Sequence, residues 1–186
     1  MPKISEIEDT PNPNAVKFIL WEPLTWGVTN SYDSVAQAQG DPLARALFDI
    51  KHVSNVFYLD KWLTVTQDGG ADWPELVRLL AVPIRAAPAA AAQTAVAVAA
   101  ANHAYADLSA PDRQRFDAIS SLLDEKIRPY LKNDGGDLHI ISLEGDLLSV
   151  HYQGACGTCP SSISGTLRSI ENLVKSIEPD IEVVAV

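Results

Sequence analysis

Cysteine is scarce in this chain of 186 residues: there are two, Cys156 and Cys159. Two cysteines cannot make a disulfide framework. Nor can they supply, within one chain, the four sulfur ligands that common all-thiolate metal centres need. Basic side chains are also in deficit, 14 Lys and Arg against 24 Asp and Glu, for a formal charge of −10. The deficit is spread along the chain, −4 in residues 1–85, −1 in 86–107 and −5 in 108–186. No broad basic patch is therefore expected, and nucleic acid is not expected as a partner. No run of ~18 apolar residues is present, so no membrane span is expected either. The first residues, Met1 to Asp9, are acidic and lack the apolar centre of a secretory signal. What remains is ordinary for a soluble protein with a core: 47% hydrophobic and 20% charged residues.

The composition changes abruptly at residue 86. Residues 86–106 hold 13 alanines in 21 positions, with Pro88 near the start and no charged side chain. Such a tract has little large apolar surface to bury. It reads as a flexible linker or, from about Ala95, as a stretch of helix, since alanine has the highest helix propensity. Either way it separates two folding units. The expected division is a first domain at 1–85, an alanine-rich linker at 86–107 and a second domain at 108–186. Each is small but long enough to fold alone.

The first unit reads as mixed α and β. A strand is expected at Ala15 to Trp21, after the turn-forming run Pro11-Asn12-Pro13-Asn14. Asp41-Pro42 starts a helix carrying Leu43, Ala44, Leu47 and Phe48. Val53 to Leu59 and Lys61 to Thr66 read as strands joined by a tight turn at Asp60. Asp72-Trp73-Pro74-Glu75 resembles a capping box, and Pro83 is expected to disturb the end of the helix that follows. His52, the one histidine of this unit, reads as structural or solvated.

The second unit has the clearer pattern. Phe116, Ile119, Leu123, Ile127 and Tyr130 repeat at helical spacing, with Pro129 placed to kink or end the helix. Asn133-Asp134-Gly135-Gly136-Asp137 is a helix stop and turn. Two strands follow at about 138–143 and 147–153, joined at Glu144-Gly145. Ile163, Leu167, Ile170, Val174 and Ile177 then step as the buried stripe of a helix, and Ile181 to Val186 reads as a last strand. The fold class expected is α+β: two small two-layer domains, the second ordered α-β-β-α-β.

The chemistry is concentrated in Gly154-Ala155-Cys156-Gly157-Thr158-Cys159-Pro160. Cys-x-x-Cys lets two sulfurs converge on one metal centre or on each other. Gly154 and Gly157 allow a tight backbone, and Pro160 suits the first turn of a helix. The sulfurs then lie near the positive end of that helix, worth ~0.3–1 kcal/mol per nearby negative charge, which favours thiolate. Ser161 and Ser162 add hydroxyl donors. His139 and His151 are the nearest further ligands in sequence. A two-residue turn at Glu144-Gly145 puts them on opposite faces of the hairpin, so they are not expected to converge. Asp134 and Asp137 read as turn chemistry rather than a cation site, and His103 lies in the alanine tract without a partner residue nearby in sequence. The remaining route to four sulfurs is two chains. A two-fold axis near the motif brings two copies of Cys156 and Cys159 around one cluster.

Residues 124–160 resemble the C-terminal domain of NifU-like proteins, the Nfu family of iron–sulfur cluster scaffolds and carriers. The resemblance rests on Ile127-Arg128-Pro129-Tyr130-Leu131, Asp134-Gly135-Gly136-Asp137, the cysteine segment through Ser162, and Ile170-Glu171-Asn172-Leu173. Residues 8–82 are similar to the family's N-terminal domain, through Glu8 to Phe18, Pro42 to Phe48, Val53 to Phe57 and Leu63 to Thr66. The resemblance implies a non-enzymatic carrier. It implies one [4Fe–4S] cluster per homodimer, bound at Cys156 and Cys159 of each chain. The partners implied are an upstream assembly scaffold that donates the cluster and apo iron–sulfur proteins that accept it. The N-terminal domain is implied to serve partner recognition or stability. With no transit segment seen, a bacterial cytoplasm is the location expected.

Two other readings use the same cysteines: a thiol–disulfide oxidoreductase, since strand–Cys-x-x-Cys–helix is also a redox geometry, and a structural zinc clasp joining two chains. The two-unit organisation has a direct test. Limited proteolysis followed by mass spectrometry is expected to cut first within 86–106; protection of that tract with cleavage elsewhere would overturn the division.

Overall fold

The computed structural model describes residues 2–88, 90, 108–157 and 160–186, the side chains of 160–164 excepted. The alanine tract beyond residue 90 and Cys159 lie outside the described residues. The chain divides into two compact units, Met1–Ala97 and Val98–Val186. Both are α+β.

In the first unit, alternating apolar residues build an antiparallel sheet. Its strands are β1 (Ile4–Asp9), β2 (Ala15–Leu20), β3 (Thr29–Tyr32), β4 (Val53–Leu59) and β5 (Trp62–Gln67), in the spatial order β1-β2-β5-β4-β3. Val16, Phe18 and Leu20 of β2 point to one face with Leu63 and Val65 of β5 and Val56 and Tyr58 of β4. Two helices cover that face. Helix α1 (Pro42–Phe48) contributes Leu43, Ala44 and Leu47, and α2 (Trp73–Ala86) contributes Leu76, Leu80 and Ile84.

Asp41 holds one corner of this unit together. Its Oδ1 accepts from the Ala44 amide at 3.0 Å and so caps α1, while Oδ2 accepts from the hydroxyls of Tyr32 on β3 and Tyr58 on β4. Burial and then the Asp41 carboxylate push Tyr32 up to about 12. Asp60 takes the left-handed turn expected between β4 and β5, with φ +50°.

One expectation for α2 is corrected. Asp72 begins the helix through its backbone, its carbonyl accepting from Leu76 N at 2.9 Å, but its side chain caps nothing, so there is no capping box. Pro83 lies in the last turn of the helix, which ends at Ala86. The carbonyl that Pro83 leaves unpaired belongs to Leu79, a residue 50% exposed, so water can satisfy it. Strands β1 and β3 were not expected. They are the two edges of the sheet. The charges of β1 fit that place, because charged edge strands resist pairing with another chain; Glu8 of β1 meets the buried Lys17 of β2 at 2.7 Å.

In the second unit the first helix comes in two pieces, α3 (Ala110–Lys126) and α4 (Arg128–Asn133). The Ser109 side chain accepts from the Asp112 amide and caps α3. The break falls at Ile127, because Pro129 has no N–H to give to Glu125. Strands β6 (Gly136–Glu144) and β7 (Leu147–Gly154) form an antiparallel hairpin. Helix α5 (Pro160–Val174) then crosses over to β8 (Glu182–Ala185), which lies parallel to β7. Phe116, Ile119 and Leu123 of α3, Ile170 and Val174 of α5, and Leu138, Val150 and Tyr152 of the hairpin meet in one core. Ile177, expected in the buried stripe, lies beyond the end of α5 and is 44% exposed. Arg115 ties α3 to the far end of the sheet, donating to Gly145 O at 2.9 Å and pairing with Asp146 and Glu178.

The hairpin differs from expectation in its turn and its register. Its two-residue turn is Gly145-Asp146, one residue later than expected, and a bulge lies between Ile140 and Ser142. The register that results sets His139 directly opposite His151.

The core makes a quantitative demand. Leu123 is fully buried, so Leu123→Ala is expected to cost ~2–5 kcal/mol in urea unfolding of the second unit. Leu79→Ala, on an exposed helix face, is expected to stay within about 0.5 kcal/mol.

Candidate functional site

The cysteine segment is held where the end of β7 meets the start of β6. Gly135 and Gly154 both lie in the left-handed region, with φ +83° and +65°. Between them, Ala155 N donates to Gly135 O at 3.2 Å, and Gly157 N donates back to Gly154 O at 3.1 Å. The turn Asn133–Asp137 and the cysteine loop are thus one backbone construction, although the sequence places them 20 residues apart.

Two glycines are required there by space. A Cβ on Gly136 would lie 2.5 Å from Gln153 O and 2.8 Å from Cys156 Sγ. A Cβ on Gly157 would lie 2.8 Å from Tyr152 O. Cys156 is seated in this close packing, 6% exposed and part of the core of its unit. Tyr152 stands beside it. Burial raises the Tyr152 phenol, and the charge of a Cys156 thiolate adds to the effect. The Tyr152 hydroxyl is buried with no hydrogen-bond partner among the described residues. Helix α5 begins at Pro160, four residues after Cys156, so the expected helix start after the motif is present. Cys159, the second expected ligand, and the side chains of Ser161 and Ser162 lie outside the described residues.

The other residues singled out in the sequence have separate places. Asp137 is buried, accepts from the Leu138 amide at 2.8 Å and faces Arg128 at 3.7 Å. Arg128 in turn reaches Asp124 at 2.7 Å. Asp134 caps the end of α4, its amide donating to Tyr130 O at 3.0 Å. His52 carries φ +76° and faces Asp68 at 3.0 Å, beside an open cavity of about 270 Å³ bounded by Lys51, Glu75 and Leu79. His103 lies outside the described residues. His139 and His151 do share a face, contrary to the expectation from the hairpin; the bulge between Ile140 and Ser142 is the cause. Burial lowers the His139 pKa. Asp137 opposes that shift, Arg128 adds to it, the Gln153 side chain opposes it and His151 adds to it. The packing of Cys156 against Gly136 was not foreseen, though the Gly135-Gly136 pair was its visible sign.

The family profile described as "Scaffold protein Nfu/NifU N terminal" matches residues 4–87, and that of the "NifU-like domain" matches 119–185. The human protein named "NFU1 iron-sulfur cluster scaffold homolog, mitochondrial" is 32% identical over 178 residues, covering 95% of this chain and 69% of its own length. The chain belongs to the Nfu iron–sulfur cluster scaffold family. Its Nfu relative of the same name from Drosophila willistoni is 31% identical over 182 residues. The chain spans about three-fifths of that relative's length, 61%. Among solved structures, Staphylococcus aureus protein SAV1430 is similar to 44% of this chain and 98% of its own, at 22% identity and a TM-score of 0.39. The expected bacterial cytoplasmic location is overturned: the Nfu relatives that cover 95% of the chain are mitochondrial proteins of eukaryotes.

The tight seat of Cys156 predicts the behaviour of one variant. Gly136→Ala forces the Gln153 carbonyl and the Cys156 sulfur apart, with an expected loss of ~1–3 kcal/mol. Thermal unfolding measures the loss. The Cys156 thiol should also react faster with an aromatic disulfide reagent, and unchanged stability and reactivity would contradict the packing described.

Proposed function

We propose that this chain carries an iron–sulfur cluster between proteins and performs no catalysis of its own. In this reading one [4Fe–4S] cluster is held by Cys156 and Cys159 of each of two chains, received from an assembly scaffold and passed to apo iron–sulfur proteins. Residues 1–85 and 108–186 act as separate domains joined by the linker 86–107. The observation that carries the reading is the placement of Cys156, in a glycine-built loop between a strand end and the first turn of α5, within a matched NifU-like domain. The names of the relatives support the scaffold role.

The chemistry follows from the ligand count. Half a ligand set per chain places the cluster at a junction between chains rather than inside a core. Thiolate is the ligating form, and the N-terminal end of α5 supports negative charge there. Cys156 is only 6% exposed, so loading and release both need the loop to move outward. Transfer is an exchange of ligands without redox change. Each iron–cysteine bond is replaced by a bond to an acceptor thiolate, and the proton lost by the acceptor thiol goes to the departing cysteine.

Anaerobic reconstitution with iron and sulfide is expected to give a coloured species with about four irons per two chains. Cys156→Ala and Cys159→Ala are each expected to abolish it, read by absorption and by iron and sulfide analysis. A colourless zinc-loaded protein would support the clasp instead. Rapid insulin reduction by the cluster-free chain would support the oxidoreductase.

A further inference from the structure

The face of the second sheet turned away from the helices carries a pair of groups that cluster transfer does not use. Leu138, Ile140, Val150 and Tyr152 face the core, so the residues between them, His139 and His151, face the other way. The two histidines are register partners across β6 and β7. Directly opposite residues of an antiparallel pair have Cβ atoms ~4.5–5.5 Å apart. Imidazoles that close can bind one ion together, at about 2.0–2.1 Å for a zinc–nitrogen bond.

Both rings are set up as ligands. His151 Nδ1 lies 2.7 Å from Val186 O, an oxygen that can only accept. The neutral His151 ring therefore carries its proton on Nδ1 and offers the Nε2 lone pair to a metal. Backbone oxygens fix metal-binding histidines in this same way. His139 is half-buried, and burial holds it toward the neutral form that metals require. Asp137 and Arg128 both act on His139 and are paired with each other at 3.7 Å, so the cation that would repel a metal ion there is offset by a carboxylate.

We propose that His139 and His151 form a binding site for a divalent transition-metal ion of the class imidazole prefers, such as zinc. Two protein nitrogens hold the ion and water fills its remaining positions. The site is separate from the cysteines and does not depend on their role. Its open coordination makes it an exchanging site rather than a structural one.

The test uses the full chain carrying Cys156→Ser and Cys159→Ser, so that thiolates cannot compete, and Zn²⁺ alone as the probe. Calorimetric titration is expected to give one ion per chain. His139→Ala and His151→Ala are each expected to weaken binding by about tenfold or more, with His52→Ala unchanged. Histidine-ring NMR signals of the chain with all four histidines present give a readout that needs no folded variant. The His139 and His151 signals should move on zinc addition while those of His52 and His103 stay. Equal affinity in the three histidine variants, movement of the His52 or His103 signals instead, or one ion per two chains would overturn the site.

Discussion

The second unit depends on a contact that contains almost no side chain. Gly136 lies against the Gln153 carbonyl and the Cys156 sulfur at distances that no Cβ could occupy. This contact closes the open end of the β6–β7 hairpin. It also seats Cys156 in the same core that holds the helices to the sheet. Placement of the thiol and packing of the domain are therefore one problem with one solution. The cysteine loop gains its geometry from the neighbouring strand rather than from its own length.

Buried polar groups are distributed unevenly around that loop. Asp137, the second residue of β6, has a backbone amide and a guanidinium. Tyr152, on the other strand, has a buried hydroxyl without a partner among the described residues. A buried phenol in that state costs roughly 1–3 kcal/mol unless something offsets it. Its neighbour is Cys156. In the first unit a single carboxylate, Asp41, serves one helix cap and two tyrosines.

Much of this was legible in the sequence because it rests on local periodicity. The helical stripe through Phe116, Ile119 and Leu123, the break before Pro129, and the strand pairs flanking Asp60 depend on neighbours within a few residues. What escaped was set by pairing at a distance. Strand β1 is mostly polar and is a strand because β2 gives it partners, among them Lys17 for Glu8. The His139–His151 alignment escaped because the one extra residue of the bulge between Ile140 and Ser142 reverses the face of everything beyond it. The cysteine motif itself stood out, whereas its dependence on Gly136 required knowing that residues 136 and 154 are register partners.

The parallel pairing of β7 with β8 has a mechanical consequence. Parallel neighbours cannot be joined by a short turn, so the chain must travel back along the sheet, and α5 makes that journey. The cysteine loop is the outgoing end of this crossover. Both ends of the crossover are anchored: β7 is the central strand, and Glu182 of β8 is tied to Asp146 through its amide at 2.7 Å. The cysteine segment thus leaves the central strand and returns to that strand's neighbour, tied to one sheet on both sides rather than carried as a chain end.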